Sequence, residues 1–186
     1  MRHVHTALFL LLAISMASNA QGQVEEKSKS ETKVESFSAQ TSAVIVKGYS
    51  ETGVLGGEYG TYVIIESREI IEVDGGERRY GISIRVEGNK NNSHTSYIDY
   101  ENIEPLIESL DYLTEIDKSI TDMGNFQADY RTQDDLVLSA FTSGGDIEFS
   151  VQSGQIDKQT AFFSISNAKA MKKLVIEARN KIDSLR

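Results

Sequence analysis

Gly81-Ile82-Ser83-Ile84-Arg85-Val86-Glu87 and, 65 residues on, Asp146-Ile147-Glu148-Phe149-Ser150-Val151-Gln152 decide how this chain is read. In the first stretch Ile82, Ile84 and Val86 alternate with Ser83, Arg85 and Glu87, the period of a strand with one apolar face. The same shift carries Tyr97, Ile98 and Tyr100 onto Phe162, Phe163 and Ile165. It also sets Thr95 on Thr160 and Asn102 on Asn167 without a gap. Leu106, Leu110 and Leu113 then fall on Met171, Val175 and Ala178 at helical spacing. Only four of 22 positions between 81 and 102 are identical. A frame joining strand, turn, strand and helix points to an internal duplication. The competing reading is a coincidence of two similar sheets.

Outward from these segments the rest falls into place. Ala43 to Val46 starts a first strand, GVLGGEYG (53–60) reads as a glycine-rich loop, and 61–73 is a long β-branched strand. Asp74-Gly75-Gly76-Glu77 and the stretch from Asn89 to Ser93 are turns, and 95–100 is a fourth strand. Ile103, Leu106, Ile107, Leu110 and Leu113 form the apolar stripe of a helix. In the second half, 126–131, 136–141, 146–152 and 160–165 read as strands. A helix from about Ala168 carries Met171, Val175, Ala178, Ile182 and Leu185. Asn102 and Asn167 are expected as helix N-caps, with Pro105 tolerated in the first turn. The expected fold is α+β: two tandem β-β-β-β-α repeats, residues 43–120 and 125–186, forming one domain of antiparallel sheets and two long helices.

That element order resembles the architecture of whirly-type single-stranded DNA-binding proteins, which carry two tandem four-strand-plus-helix repeats. The resemblance is one of element order. No basic strand signature accompanies it.

The N-terminal end has a different character. Arg2, the apolar run Ala7–Ile14 and the small residues of Ser18-Asn19-Ala20 read as a secretory signal peptide over 1–20, too short in its apolar part to span a bilayer. Secretion or a periplasmic location follows, with no membrane span in the mature chain. Residues 21–42 are polar and charged, with Val24, Val34 and Phe37 as their only bulky apolar residues. They are expected to be a flexible linker, a short docked helix being the alternative.

Composition limits the chemistry. The 186 residues include no Cys, no Trp and three His, with 19 basic and 28 acidic side chains and a formal charge of −9. Thiol catalysis, disulfides and cysteine-based zinc sites are thereby excluded. His94 is the only histidine after residue 20 and is expected in an exposed turn; no G-x-S-x-G elbow accompanies it. Asp134-Asp135 reads as a solvated turn, and Glu148 as a strand-surface acid without a placed partner. No catalytic residue, metal site or cofactor is expected, and an acidic chain does not suit nucleic acid.

The candidate binding residues are two aromatics and three lysines. Tyr97 and Phe162 are equivalent under the shift and face away from Ile98 and Phe163. Residues 168–186 carry six bases against two acids, including Lys169, Lys172 and Lys173, whereas 101–118 carry six acids against one base. Such helices are either solvated faces or surfaces that recognise each other, within or between chains. The function expected is a non-enzymatic binding or assembly module with a protein partner or self-association. The alternatives are a carrier of a small hydrophobic ligand between the repeats and a carboxylate-based hydrolase.

Overall fold

The computed structural model describes residues 31–88 and 92–186. The expected signal segment, residues 21–30 of the expected linker and residues 89–91 of the expected turn lie outside the described residues. The protein is α+β. Strands β1 (Ile45–Gly56), β2 (Tyr62–Glu72), β3 (Arg78–Glu87) and β4 (Ser93–Asp99) form one antiparallel meander. Strands β5 (Gln127–Arg131), β6 (Leu136–Ser143), β7 (Asp146–Ser153) and β8 (Gln159–Ser164) form a second. Helix α1 (Lys33–Ser38) precedes the first sheet, α2 (Ile103–Glu115) follows it, and α3 (Ile165–Asp183) follows the second.

Turn chemistry explains the meanders. Gly144 and Gly145 both have positive φ between the paired Ser143 and Asp146, the backbone that a two-residue hairpin with the native twist demands. The stretch 53–60 is less of a loop than expected. β1 runs on to Gly56 past a bulge between Glu51 and Gly53, and only Glu58–Gly60 form a 3₁₀ turn. Gly53 belongs in a strand because it admits α3: a Cβ there would lie 2.7 Å from Leu174 Cδ2.

The helices cross over. α2 packs on β5 and β6 of the second sheet, while α3 lies across β1, β2 and β3 of the first as well as its own β7 and β8. Ser67 Oγ on β2 donates to the Ala178 carbonyl of α3 at 3.1 Å. Each long helix buries its apolar stripe between the sheets. Ile65, Ile82, Ile84, Leu110, Leu138, Phe149, Phe163 and Met171 belong to one fully buried cluster.

Pairing separates the two sheets from a gapless 65-residue frame. Ile82 pairs with Ile98, and Phe149, not Ile147, pairs with Phe163. Phe163 follows Ile98 by 65 residues, but Phe149 follows Ile82 by 67. The hairpins therefore match only if the β7–β8 turn is two residues shorter. Burial follows the pairing: Ile82, Ser83, Ile84 and Val86 match Phe149, Ser150, Val151 and Ser153, all buried.

Two helix starts differ from expectation. Asn102 occupies the cap position of α2 but makes no side-chain cap bond, because a 3₁₀ turn (Tyr100–Asn102) leads into the helix and gives Asn102 near-helical φ and ψ. At α3 the extended residue is Ser164, whose Oγ accepts from Asn167 N at 3.4 Å, so Asn167 lies inside the first turn. Its Nδ2 donates instead to the Gly56 carbonyl.

The expected linker is also corrected where it is described. Lys33–Ser38 is the docked helix given as the alternative, with a capping box between Thr32 and Glu35. Both Asp99 carboxylate oxygens accept from its first turn, from Lys33 N and Val34 N at 2.9 Å each. Val34 and Phe37 bury against Ile70 on the outer face of the first sheet, with Ile45 and Tyr97 at the margin. Two apolar residues three apart suffice because the site is prepared for them: a Cβ on Gly81 would lie 2.8 Å from Val34 Cγ2.

Candidate functional site

The two aromatic candidates lie on outer sheet faces, away from the shared core. Tyr97 pairs with Ser83 on β3 and Phe162 with Ser150 on β7, and both are half-buried. Their surroundings differ. Tyr97 is bordered by α1 and has the Arg68 guanidinium 5.8 Å from its ring centroid, with Tyr49 on the other side of that guanidinium at 5.3 Å. Arg68 is held by Glu66 at 2.5 Å and Ser83 at 3.0 Å, and Ser83 Oγ donates to Glu66 at 2.9 Å. This aromatic-flanked Arg–Glu–Ser cluster leaves no signal in the sequence, because it needs four strands, β1 to β4, in register.

Phe162 meets Phe141 edge to face, with centroids 6.4 Å apart. Val137, Ser139, Phe141, Ser150 and Phe162 share this outer face, and neither long helix covers it, since both bury their stripes on the inner side. The first sheet thus has a helix over its outer face. The second has none among the described residues.

The lysine candidates divide. Lys172 pairs with Asp111 of α2, and two turns further along α3 Arg179 pairs with Glu104. The opposed charges of the two long helices therefore meet within the chain. Lys169 and Lys173 point to solvent and form no ion pair among the described residues.

His94 corrects an expectation. It lies in β4 rather than an exposed turn, half-buried where the two sheets meet. Its Nδ1 is 2.9 Å from Ser153 Oγ, which is 2.7 Å from Ser96 Oγ, which donates to the Asp134 carbonyl at 2.8 Å. The last acceptor is a carbonyl, so Ser96 must use its proton there. Ser153 must then donate to Ser96, and His94 Nδ1 must donate to Ser153. The relay runs from histidine to serine, opposite to the direction in which a general base activates a nucleophile. Ser153 is also fully buried. The cluster is a seam between sheets, and Gly154 (φ +92) closes it, a Cβ there falling 2.7 Å from the His94 ring.

Asp134 and Asp135, expected as solvated acids, are buried by the same seam. Asp134 Oδ2 accepts from Tyr97 N at 2.7 Å, and Asp135 accepts from Gln155 and Arg131. Spacing could flag the Asp-Asp turn but not its role as a clasp on another strand. A cleft of about 210 Å³ opens beside His94, between Asp135 and Ile156. A larger cleft, about 380 Å³, lies between α1 and the C-terminal Arg186, lined by Lys33, Arg79, Tyr100 and Glu101. Lys33 pairs there with Glu101, whose carboxyl that ammonium holds below the ordinary value. Arg186 stacks 3.8 Å over Tyr100.

No group of three or more His, Asp or Glu is arranged to hold a metal ion among the described residues, and no helix there is long and apolar enough to cross a membrane. No protein-family model, curated protein or solved structure matches the chain.

Proposed function

We propose that this chain is a secreted or periplasmic, non-enzymatic binding or assembly module that docks a protein partner on the outer face of its second sheet. The observation that carries this reading is the Phe141–Phe162 pair on a face that no helix covers among the described residues. Half-exposed aromatics on such a face gain about 1 kcal/mol or more each when a partner completes their burial. The direction of the His94–Ser153 relay and the burial of Ser153 weigh against a hydrolase built on these groups. A carrier with its ligand between the sheets has less support, because Phe149, Phe163, Leu138 and Met171 occupy that space.

The two units are read as products of a duplication, aligned by pairing rather than by a single shift: 67 residues from β3 to β7, and 65 from β4 to β8. The whirly-like element order is an analogy of architecture, and a charge of −9 argues for a protein rather than a nucleic acid as partner. Export would remove residues 1–20 by cleavage after Ala20, and N-terminal sequencing of exported protein should begin at Gln21 or within a few residues. Intact Met1 on exported material would refute that step.

The docking face is tested by photo-crosslinking on exported protein, with a crosslinkable residue at Phe162 and, in a separate variant, at exposed Lys173. A discrete heterologous adduct from position 162 and none from 173 supports the reading. Equal or no adducts from both positions would end it.

A further inference from the structure

The four outermost strands of the two sheets are protected very unequally. The free edge of β4 is clasped by the β5–β6 turn, Asp134 Oδ2 accepting from Tyr97 N. β8 is flanked by the Glu58–Gly60 turn, where a Cβ on Gly57 would lie 3.0 Å from the Phe162 carbonyl. β5 is five residues long and exposes Gln127, Asp129 and Arg131. Short, charged or covered edges resist adding another strand. β1 is neither short nor clasped along its outer side among the described residues, and its two charged residues, Lys47 and Glu51, are of opposite sign. It is 12 residues long, lies at the end of its sheet, and no described strand pairs with its outer side. At or beside it Val44, Val46, Tyr49 and Val54 are 47–70% exposed.

The backbone direction of that edge is fixed. Val73 N donates to Val44 O, so the Val44 carbonyl faces β2. Polar groups alternate along an extended strand, so those of Ile45, Lys47, Tyr49 and Glu51 face outward. The side chains of the same residues stand on the outer sheet face, Tyr49 opposite Arg68 and Glu51 opposite Glu66. Glu51 thus faces a like charge on its cross-strand neighbour in β2, an arrangement that costs stability. Lys47 and Glu51 are both exposed, and neither has an ion pair among the described residues.

We propose that β1 is a homodimerisation edge: a second copy pairs its own β1 antiparallel about Tyr49, joining two four-stranded sheets into one continuous sheet. A two-fold axis at Tyr49 sets Lys47 opposite the second copy's Glu51, and Glu51 opposite its Lys47. It brings the two Tyr49 rings side by side and supplies Glu51 with the cation that Glu66 denies it. The outward N–H and C=O groups of Tyr49 meet their own symmetry mates, as the pairing geometry of an antiparallel ladder requires. The bulge after Glu51 ends the shared ladder, so the core of the interface is Lys47–Glu51. Charge complementarity selects a second copy over an arbitrary extended segment: the sequence of this strand is its own antiparallel complement.

The proposal rests on the reading of the chain as an assembly module and names its first partner. Sedimentation equilibrium of the exported chain over a range of concentrations tests it. A dimer mass is expected, weakening as salt rises. Lys47→Glu and Glu51→Lys should each weaken association by about tenfold or more, because each converts two attractive cross-strand pairs into repulsive ones. The double variant K47E/E51K should restore association to within about threefold of the original. Tyr49→Pro should abolish it by removing an outward N–H that β2 does not use. If that variant does not fold, the charge set decides. A monomer at every concentration overturns the proposal, as does a dimer indifferent to both single reversals. A monomer that still crosslinks a partner through Phe162 overturns the dimer alone and leaves the binding module standing.

Discussion

Single side chains carry the closures of this fold. Gly154 has φ +92 with the His94 ring where its Cβ would go, so Gly154→Ala should destabilise the protein by about 1–3 kcal/mol, read from the denaturant midpoint. An unchanged midpoint would mean that the seam is looser than its distances state. Ser153→Ala removes the middle of the relay and leaves His94 Nδ1 and Ser96 each short of a partner, with a similar expected cost. At the α1 end, the Lys33 ammonium lowers the Glu101 carboxyl below its ordinary value. A depressed carboxylate adds stability above its ordinary pKa and loses that contribution as pH falls through the folded value. Both groups are solvent-exposed, so the effect on stability is small, but the titration itself is visible. A carboxyl NMR titration of Lys33→Ala should return Glu101 toward the ordinary range, and an unmoved titration would show that the pair is not formed in solution. Such closures are invisible in the sequence. His94 reads as a turn residue because nothing local tells that Ser153, 59 positions away, will stand beside it.

Elements show which parts of the reading were accessible. The strict alternation of Gly81–Glu87 and the stripe Ile103–Leu113 predicted β3 and α2 closely, since one-sided burial imposes its own period. Glycines signal turns, so the sequence pattern ends β1 before Gly53, whereas Gly53 here admits Leu174. α1 has the composition of a linker, with only two apolar residues, and its stability comes from groups elsewhere in the chain, Asp99 and Ile70. Phe37→Ala should therefore undock α1 and speed proteolysis at Lys33 while leaving the main melting transition in place. Loss of the whole transition would make α1 part of the core. The opposed charges of α2 and α3 were legible, but not that they meet within one chain. Each pair is partly exposed and worth less than about 1 kcal/mol, so Lys172→Glu should lower stability only slightly and Asp111→Lys in the same chain should recover it. A salt-bridging role between copies would instead show as a change of mass.

The whole molecule is held by a core that belongs to both sheets. Because α3 lies across β1–β3 as well as β7 and β8, neither sheet can keep its inner face dry without the helix contributed by the other unit. Among the described residues that arrangement leaves the outer face of the second sheet and the β1 edge open to partners, and the functional proposal depends on it. The tandem order of elements could be read from the sequence, but the exchange of helices could not, since periodicity records which face is buried and not against what. Met171, fully buried on α3, is the side chain through which to ask the question. Met171→Ala should cost about 2–5 kcal/mol of core stability. The decisive measurement is native-state hydrogen exchange on the exported Met171→Ala chain, following amides of Ile65 and Ile84 in the first sheet and Leu138 and Val151 in the second. One shared core predicts that protection falls by the same free energy in both sheets. Protection that collapses in one sheet and persists in the other would contradict the account, because the inner faces would then be separable and the outer faces would lose their claim to be the surfaces left for binding.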